Sequence, residues 1–162
     1  MIAAACVIGL GLLTLFYDGV LDRQINPNSD PVSRVDGGGV REVVLRQNRQ
    51  GHYVTSGQIN GFPVQFLLDT GATDVAIPAE LARASGLSPG FESRARTANG
   101  AAVIYDTHID ELQLGTIQLR DVDASIVPGM GGDTILLGMS ALRHVEFSQQ
   151  GQSLTLRQHP AF

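Results

Sequence analysis

The sequence predicts a mostly β domain, a small barrel or sandwich with one or two short helices. Three observations predict it. Short apolar or alternating runs recur from Val40 onward, separated by turn residues. Asn60-Gly61 and Asn99-Gly100 are two-residue hairpin signals between such runs. Only Pro78 to Gly86 has helix bookends, with Pro in its first turn and Gly just past its end. A chain of 162 residues with 43% hydrophobic and 17% charged residues has enough apolar surface for a core.

Taken in order, Ile2 to Tyr17 is uncharged and apolar. It is slightly short of the roughly 20 residues that cross a bilayer. A cleaved signal peptide is the rival reading, but no Arg precedes the segment and Phe16-Tyr17-Asp18-Gly19 is a poor cleavage site. Ala3-Ala4-Ala5-Cys6 looks like a lipobox but lies before the apolar run, not after it. A transmembrane anchor over residues 1–17 is therefore expected. Residues 18–39, with Asn26-Pro27-Asn28-Ser29-Asp30-Pro31 and Gly37-Gly38-Gly39, read as a flexible linker, with a structured arm as the alternative. The folded domain is expected over residues 40–162.

Within it, His52 to Ile59 alternates and Phe62 to Leu68 returns after Asn60-Gly61, Pro63 marking an edge or a strand start. Glu92 to Ala98 and Ala101 to Leu112 are the arms of a second hairpin. Ile117 to Val127 is a further strand, and Ile135-Leu136-Leu137-Gly138 a short buried run. Met139 to Arg143 suits a helical turn. Val145 to Gln149 and Ser153 to Arg157 form a closing hairpin around Gln150-Gly151.

Charge and chemistry narrow the function. A net charge of -5 and a pI near 5.2 argue against nucleic acid, since no basic patch neutralises phosphates. Every Lys/Arg position is Arg, which reads as compositional bias. The single Cys6 excludes an internal disulfide and a Cys-based metal site, and His52, His108, His144 and His159 lack ligand spacing. No metal and no cofactor are expected.

The stretch that carries chemistry is Phe66-Leu67-Leu68-Asp69-Thr70-Gly71-Ala72-Thr73-Asp74. An apolar strand ends on a carboxylate and enters a tight Gly turn. Backbone N–H groups and low dielectric at such a place shift carboxyl pKa values. The bland reading is a strand end with an Asx-type turn.

Asp69-Thr70-Gly71-Ala72-Thr73 after Phe66-Leu67-Leu68 resembles the active-site loop of aspartic proteases, and Ala72 makes it more similar to the retropepsins than to the pepsins. Ile135-Leu136-Leu137-Gly138 resembles the apolar-Gly segment beside that loop. The hairpin Arg96-Thr97-Ala98-Asn99-Gly100-Ala101 occupies the flap position. With Gly61 and Leu136-Leu137-Gly138-Met139-Ser140, these motifs resemble a bacterial family of single-domain, often membrane-anchored retropepsin-like proteases, across about Gly51 to Leu156.

The resemblance implies a single-lobed acid-protease barrel and an aspartic endopeptidase. Asp69 would be the catalytic acid, Thr70 would bridge two active-site loops, and Gly71 would permit the tight turn. Ala72, Thr73 and Asp74 would meet substrate from the loop, and Ala98, Asn99 and Gly100 from the flap. Asp74 as a solvated turn residue remains equally open. The chain departs from retroviral enzymes in one pair: the usual Arg after the second Gly and its Asp partner are Met139 and Thr73 here, so no unpaired charge is left behind.

Aspartic proteolysis needs two carboxylates sharing one proton, and this chain has one Asp-Thr-Gly. The second must come from Asp69 of a symmetry mate in an isologous homodimer. The resemblance places the carboxy-terminal strand, Leu154 to Leu156, in an intersubunit sheet; an ordinary edge strand is the alternative. A Ser at position 72 would hydrogen-bond the carboxylate and Ala does not, so a pH optimum from mildly acidic to near neutral is expected. A non-catalytic peptide-binding or dimerisation module of the same fold is the competing reading. A covalent Asp-nucleophile hydrolase lacks a base or Mg²⁺ ligands. The anchor and the resemblance imply a single-pass inner-membrane protein whose domain faces the periplasm. The tether suggests self-cleavage within residues 18–39.

Overall fold

The computed structural model describes residues 22–97 and 100–160. The apolar stretch expected to be an anchor lies outside them. Among the described residues no helix is long and apolar enough to cross a membrane.

Among the described residues, from Val32 onward, the elements follow in the order β1 (Val32–Val35), β2 (Arg41–Arg46), β3 (Val54–Ile59), β4 (Phe62–Leu68), β5 (Val75–Pro78), α1 (Ala79–Ala84), β6 (Glu92–Thr97), β7 (Gly100–Leu114), β8 (Ile117–Val127), β9 (Thr134–Leu137), α2 (Met139–Leu142), β10 (Glu146–Gln150) and β11 (Ser153–Gln158). The larger sheet runs β3-β4-β9-β5-β8-β7-β6, and β3 also pairs β7 at Gln58↔Gln113 and Ile59↔Leu112. The sheet therefore closes on itself as a barrel, with β6 hanging outside on β7.

The local reasons match the sequence. Asn60 (φ 49°) and Gly61 (φ 78°) both take the left-handed region that a twisted two-residue hairpin demands. Pro63 sits near the start of β4, and β9 pairs β4 only from Gln65 on, so its missing N–H leaves no gap in that ladder. Phe66, Val75, Ile77, Ile109 and Ile135 are fully buried at the barrel's centre.

A second, antiparallel sheet runs β1-β2-β11-β10. Val43, Leu45, Leu154 and Leu156 bury its inner face in the same hydrophobic core. On its outer face Glu42 lies between two guanidiniums, Arg34 at 2.7 Å and Arg157 at 2.8 Å. Hydrogen bonding from Arg157, joined by Arg34, holds the Glu42 carboxyl below its ordinary range, against the opposing effect of its burial.

Two expectations are corrected here. The linker reading of residues 18–39 fails over residues 26–35, which are a structured arm. Asn26 and Asn28 are each only 4% exposed, and β1 pairs β2 from Val32↔Val44 to Val35↔Arg41. The Asn28 side chain stands in for a missing strand. Its Nδ2 donates to the carbonyls of Arg46 (2.9 Å) and Val54 (2.7 Å), and its Oδ1 accepts from the Arg46 N–H (2.8 Å). Its own carbonyl accepts from the Ser56 N–H at 3.1 Å. The arm thus covers the edge of β3 that β7 does not reach, and it joins the two sheets. The folded unit includes this arm and does not begin at Val40.

The second correction concerns the carboxy-terminal strand. β11 lies between β2 and β10, hydrogen-bonded on both sides. It has no free edge to offer a second chain, and it is not an edge strand. The turn before it falls at Gly151-Gln152, one residue beyond the predicted place.

Candidate active site

β4 carries the chain outward until Leu68, and Asp69 follows at the strand's end. The chain loops through residues 69–74 and re-enters as β5. β9 lies between, parallel to β4 at Leu68↔Leu137 and paired with β5 at Ala76↔Leu136. The acid is thus set where two neighbouring strands end together.

The loop is held by backbone groups. Asp69 Oδ1 accepts the Gly71 N–H at 2.9 Å, and the Asp69 carbonyl accepts the Ala72 N–H at 3.2 Å. The Asp69 N–H donates to the Leu137 carbonyl at 3.2 Å. From α2, the Met139 N–H donates to the Ala72 carbonyl and the Ser140 N–H to the Thr73 carbonyl, each at 2.9 Å. The Ser140 hydroxyl then accepts the Val75 N–H at 3.0 Å. Gly138 permits this close seat. A Cβ there would run into the Asp74 carbonyl and lie 2.8 Å from the Ala72 carbonyl.

Asp69 is half-buried, with Thr70 and Gly71 exposed beside it. Only one of its oxygens has a partner among the described residues. A carboxylate with one oxygen tied to a backbone N–H and the other open is oriented and can still accept a further hydrogen bond. Ala72 and Asp74 are half-buried and Thr73 is exposed on the same loop. The Asp74 carboxylate has no partner among the described residues, which leaves both of its readings standing. The loop brings together Asp69 through Asp74. Gly100, with φ 110°, opens β7 across from Thr97 on β6. Ala98 and Asn99 lie outside the described residues. Among those described, no cluster of three or more His, Cys, Asp or Glu is placed to hold a metal ion.

Sequence reasoning gave no role to Ser140, although it stood in a quoted motif. Its hydroxyl ties the loop's far end, at Val75, to α2. A small hydroxyl residue two places after a Gly that ends a buried strand was the available signal.

This barrel and this loop define the single-lobed, retropepsin-like class of aspartic protease fold. The chain belongs to the family described as "gag-polyprotein putative aspartyl protease", which matches residues 55–144 and so spans both the acid's loop and the strand and helix that hold it. An uncharacterised protein of Sinorhizobium sp., named for its place in the cobV 5′ region, is 35% identical over 117 residues, covering 70% of this chain and 50% of that protein. An uncharacterised protein of Rickettsia prowazekii is 29% identical over 107 residues, covering 64% and 45%. The chain spans about half the length of these curated relatives. The crystal structure of a retropepsin-like aspartic protease from Rickettsia conorii superposes with a TM-score of 0.65 at 24% identity, covering 80% of this chain and 96% of that one. That likeness shows the fold.

Proposed function

We propose that the protein is an aspartic endopeptidase whose catalytic dyad is Asp69 of two identical chains. One observation carries the reading. Asp69 ends β4 on a loop clamped by Gly138, Met139 and Ser140, with one carboxylate oxygen held by the Gly71 N–H and the other open. A binding module has no need of a half-buried acid fixed in this way.

In the assembled site two Asp69 side chains meet across a two-fold axis and share one proton. The ionised partner takes a proton from a water, which attacks the scissile carbonyl. The protonated partner donates to the carbonyl oxygen, and the leaving nitrogen is protonated as the tetrahedral species collapses. Thr70 is the exposed neighbour suited to bridging the two loops. Ala72, Thr73 and Asp74 line the approach of an extended peptide, and the β6–β7 hairpin, with Ala98, Asn99 and Gly100, closes over it. The rate is expected to peak between mildly acidic pH and neutrality; a maximum below about pH 3 opposes this.

The apolar segment 2–17 is assigned as an inner-membrane anchor with the domain on the periplasmic side. A compartment-sensitive reporter fused after Phe162 tests the orientation. Any self-cleavage within residues 18–39 falls outside the structured residues 26–35. A single full-length band in membranes for wild type and Asp69→Asn alike argues against it.

The test of the main reading is Asp69→Asn. Peptide-library cleavage is expected to fall by at least about a thousandfold, while sedimentation still reports a dimer. Unchanged cleavage means that Asp69 is not the catalytic acid, and absence of cleavage by the parent chain returns the fold to a binding role.

A further inference from the structure

We propose that the end of the domain at which residues 1–21 join the fold docks on a bilayer surface of anionic phospholipid, through Arg23, Arg46, Arg49 and Ile25. The inference rests on the reading of residues 2–17 as a membrane anchor and names the face that the bilayer meets.

The clamp on the arm makes the tether short. Asn28 is bonded to Arg46 and Val54, and Asn26 Nδ2 donates to the Ser56 hydroxyl at 3.0 Å. Residues 22–25 are helical, and the Asn26 N–H closes that turn on the Asp22 carbonyl at 2.8 Å. Residues 18–21 alone then separate Tyr17 from the first described residue. Four extended residues and one helical turn span at most about 20 Å. A fold of this size is roughly 35 Å across, so the arm end is the part held nearest the bilayer.

Two segments build that end into one surface. Asn48 Nδ2 donates to the Ile25 carbonyl at 3.1 Å, and Asn48 Oδ1 accepts the N–H groups of Gln50 at 2.9 Å and His52 at 3.0 Å. Asn28 holds Arg46 by both its N–H and its carbonyl. The arm at 22–28 and the loop at 46–53 are thus bonded to one another.

Their charge runs against that of the chain. The protein has a net charge of -5, yet these two segments carry three arginines and one carboxylate, Asp22. The acid lies elsewhere: β7 and β8 together carry five carboxylates and one arginine, Arg120. The Asn60 N–H donates to the Glu111 carbonyl, which places that acidic ribbon at the far end of β3 from Tyr53. Arg23, Arg46 and Arg49 are exposed. The ion pairs of the described residues use Arg34, Arg83, Arg143 and Arg157, so these three have no carboxylate partner among them. Ile25, 56% exposed, stands beside them. Phosphate headgroups accept paired hydrogen bonds from guanidinium, and an apolar side chain enters the interfacial layer. The Leu68 N–H donates to the Tyr53 carbonyl at 3.0 Å, so the loop of Asp69 begins next to this face. Docking therefore sets the height of that loop over the bilayer.

The test uses the full chain, with Cys6→Ser as background, in vesicles of phosphatidylcholine with or without phosphatidylglycerol. A fluorophore is attached at Gln50→Cys or, on the acidic ribbon, at Asp110→Cys, and nitroxide-headgroup lipid is the quencher. Phosphatidylglycerol is expected to raise quenching at position 50 severalfold and to leave position 110 unchanged, and high salt should reverse the rise. Arg46→Gln and Arg49→Gln are each expected to weaken docking about fivefold, with circular dichroism unchanged. Quenching at position 50 that is the same in both lipids, as when a second copy covers the face, overturns the docking and leaves the anchor standing. So does a rise that both Gln variants retain. A chain that does not float with vesicles after an alkaline wash overturns both.

Discussion

Two segments of this chain leave regular structure and are then fastened down again, by different means. The loop 69–74 is held by backbone groups of Leu137, Met139 and Ser140, and Gly138 supplies the clearance. The arm at 26–28 is held by side-chain amides, with Asn28 alone bonded to two strands. The first arrangement fixes the carboxylate that the proposed chemistry uses. The second seals a seam between two sheets and so governs stability. The difference teaches that a polar, turn-rich segment is not thereby loose: its mobility depends on which donors and acceptors it completes.

Substitutions separate the two clamps. Gly138→Ala is expected to have the largest effect, because the new methyl meets backbone on two sides and neither carbonyl can move without releasing the loop. A loss of about 3 kcal/mol or more in urea unfolding, together with loss of cleavage, is the expected result. A stable and active variant would show that the loop is not seated on Gly138. Asn28→Ala strips partners from the Arg46 N–H and the Val54 carbonyl in a buried place. It is expected to cost about 2–4 kcal/mol while kcat per folded dimer changes little. A selective fall in kcat would break the division between the two regions.

Ser140→Ala tests the loop's far end. It leaves the Val75 N–H unpaired but keeps the backbone clamps at Ala72 and Thr73. About 1–3 kcal/mol of stability is expected to go, with a modest loss of rate at every pH. Retention of full stability would mean that water replaces the hydroxyl.

What was legible in the sequence follows from the same contrast. Asp69 with its Gly turn, the Asn60-Gly61 hairpin and the Leu137-Gly138 seat are local signals, written in residues whose backbone demands are unusual. The arm was not legible, because Asn and Pro at 26–31 have the composition of a tether and their partners, Arg46 and Val54 to Ser56, are distant in sequence. The place of β11 was missed for a related reason. Its apolar alternation marks a strand but not its neighbours, and β2 and β10 surround it through pairings that no local pattern encodes. The partner carboxylate that the proposed dyad requires lies beyond any single chain.

The smallest expected effect is at Glu42, on the sheet that the arm completes. Its carboxylate is held below the ordinary range, so the folded state binds this proton less readily than the unfolded chain does. The ion pairs therefore stabilise the fold fully above the unfolded pKa, near 4.3 in a free chain, and the contribution fades as pH falls toward the lowered folded value. Glu42→Gln removes the charge and leaves Arg34 and Arg157 facing one another across an amide. At pH 7 the melting temperature is expected to drop by a few degrees, and at acid pH the variant and the parent should converge. Raising salt should also narrow the gap, since Arg34 is largely exposed and its share of the attraction is screened. A gap that stays constant from neutral to acid pH would mean that Glu42 acts through packing alone, and the arm's sheet would then owe nothing to charge.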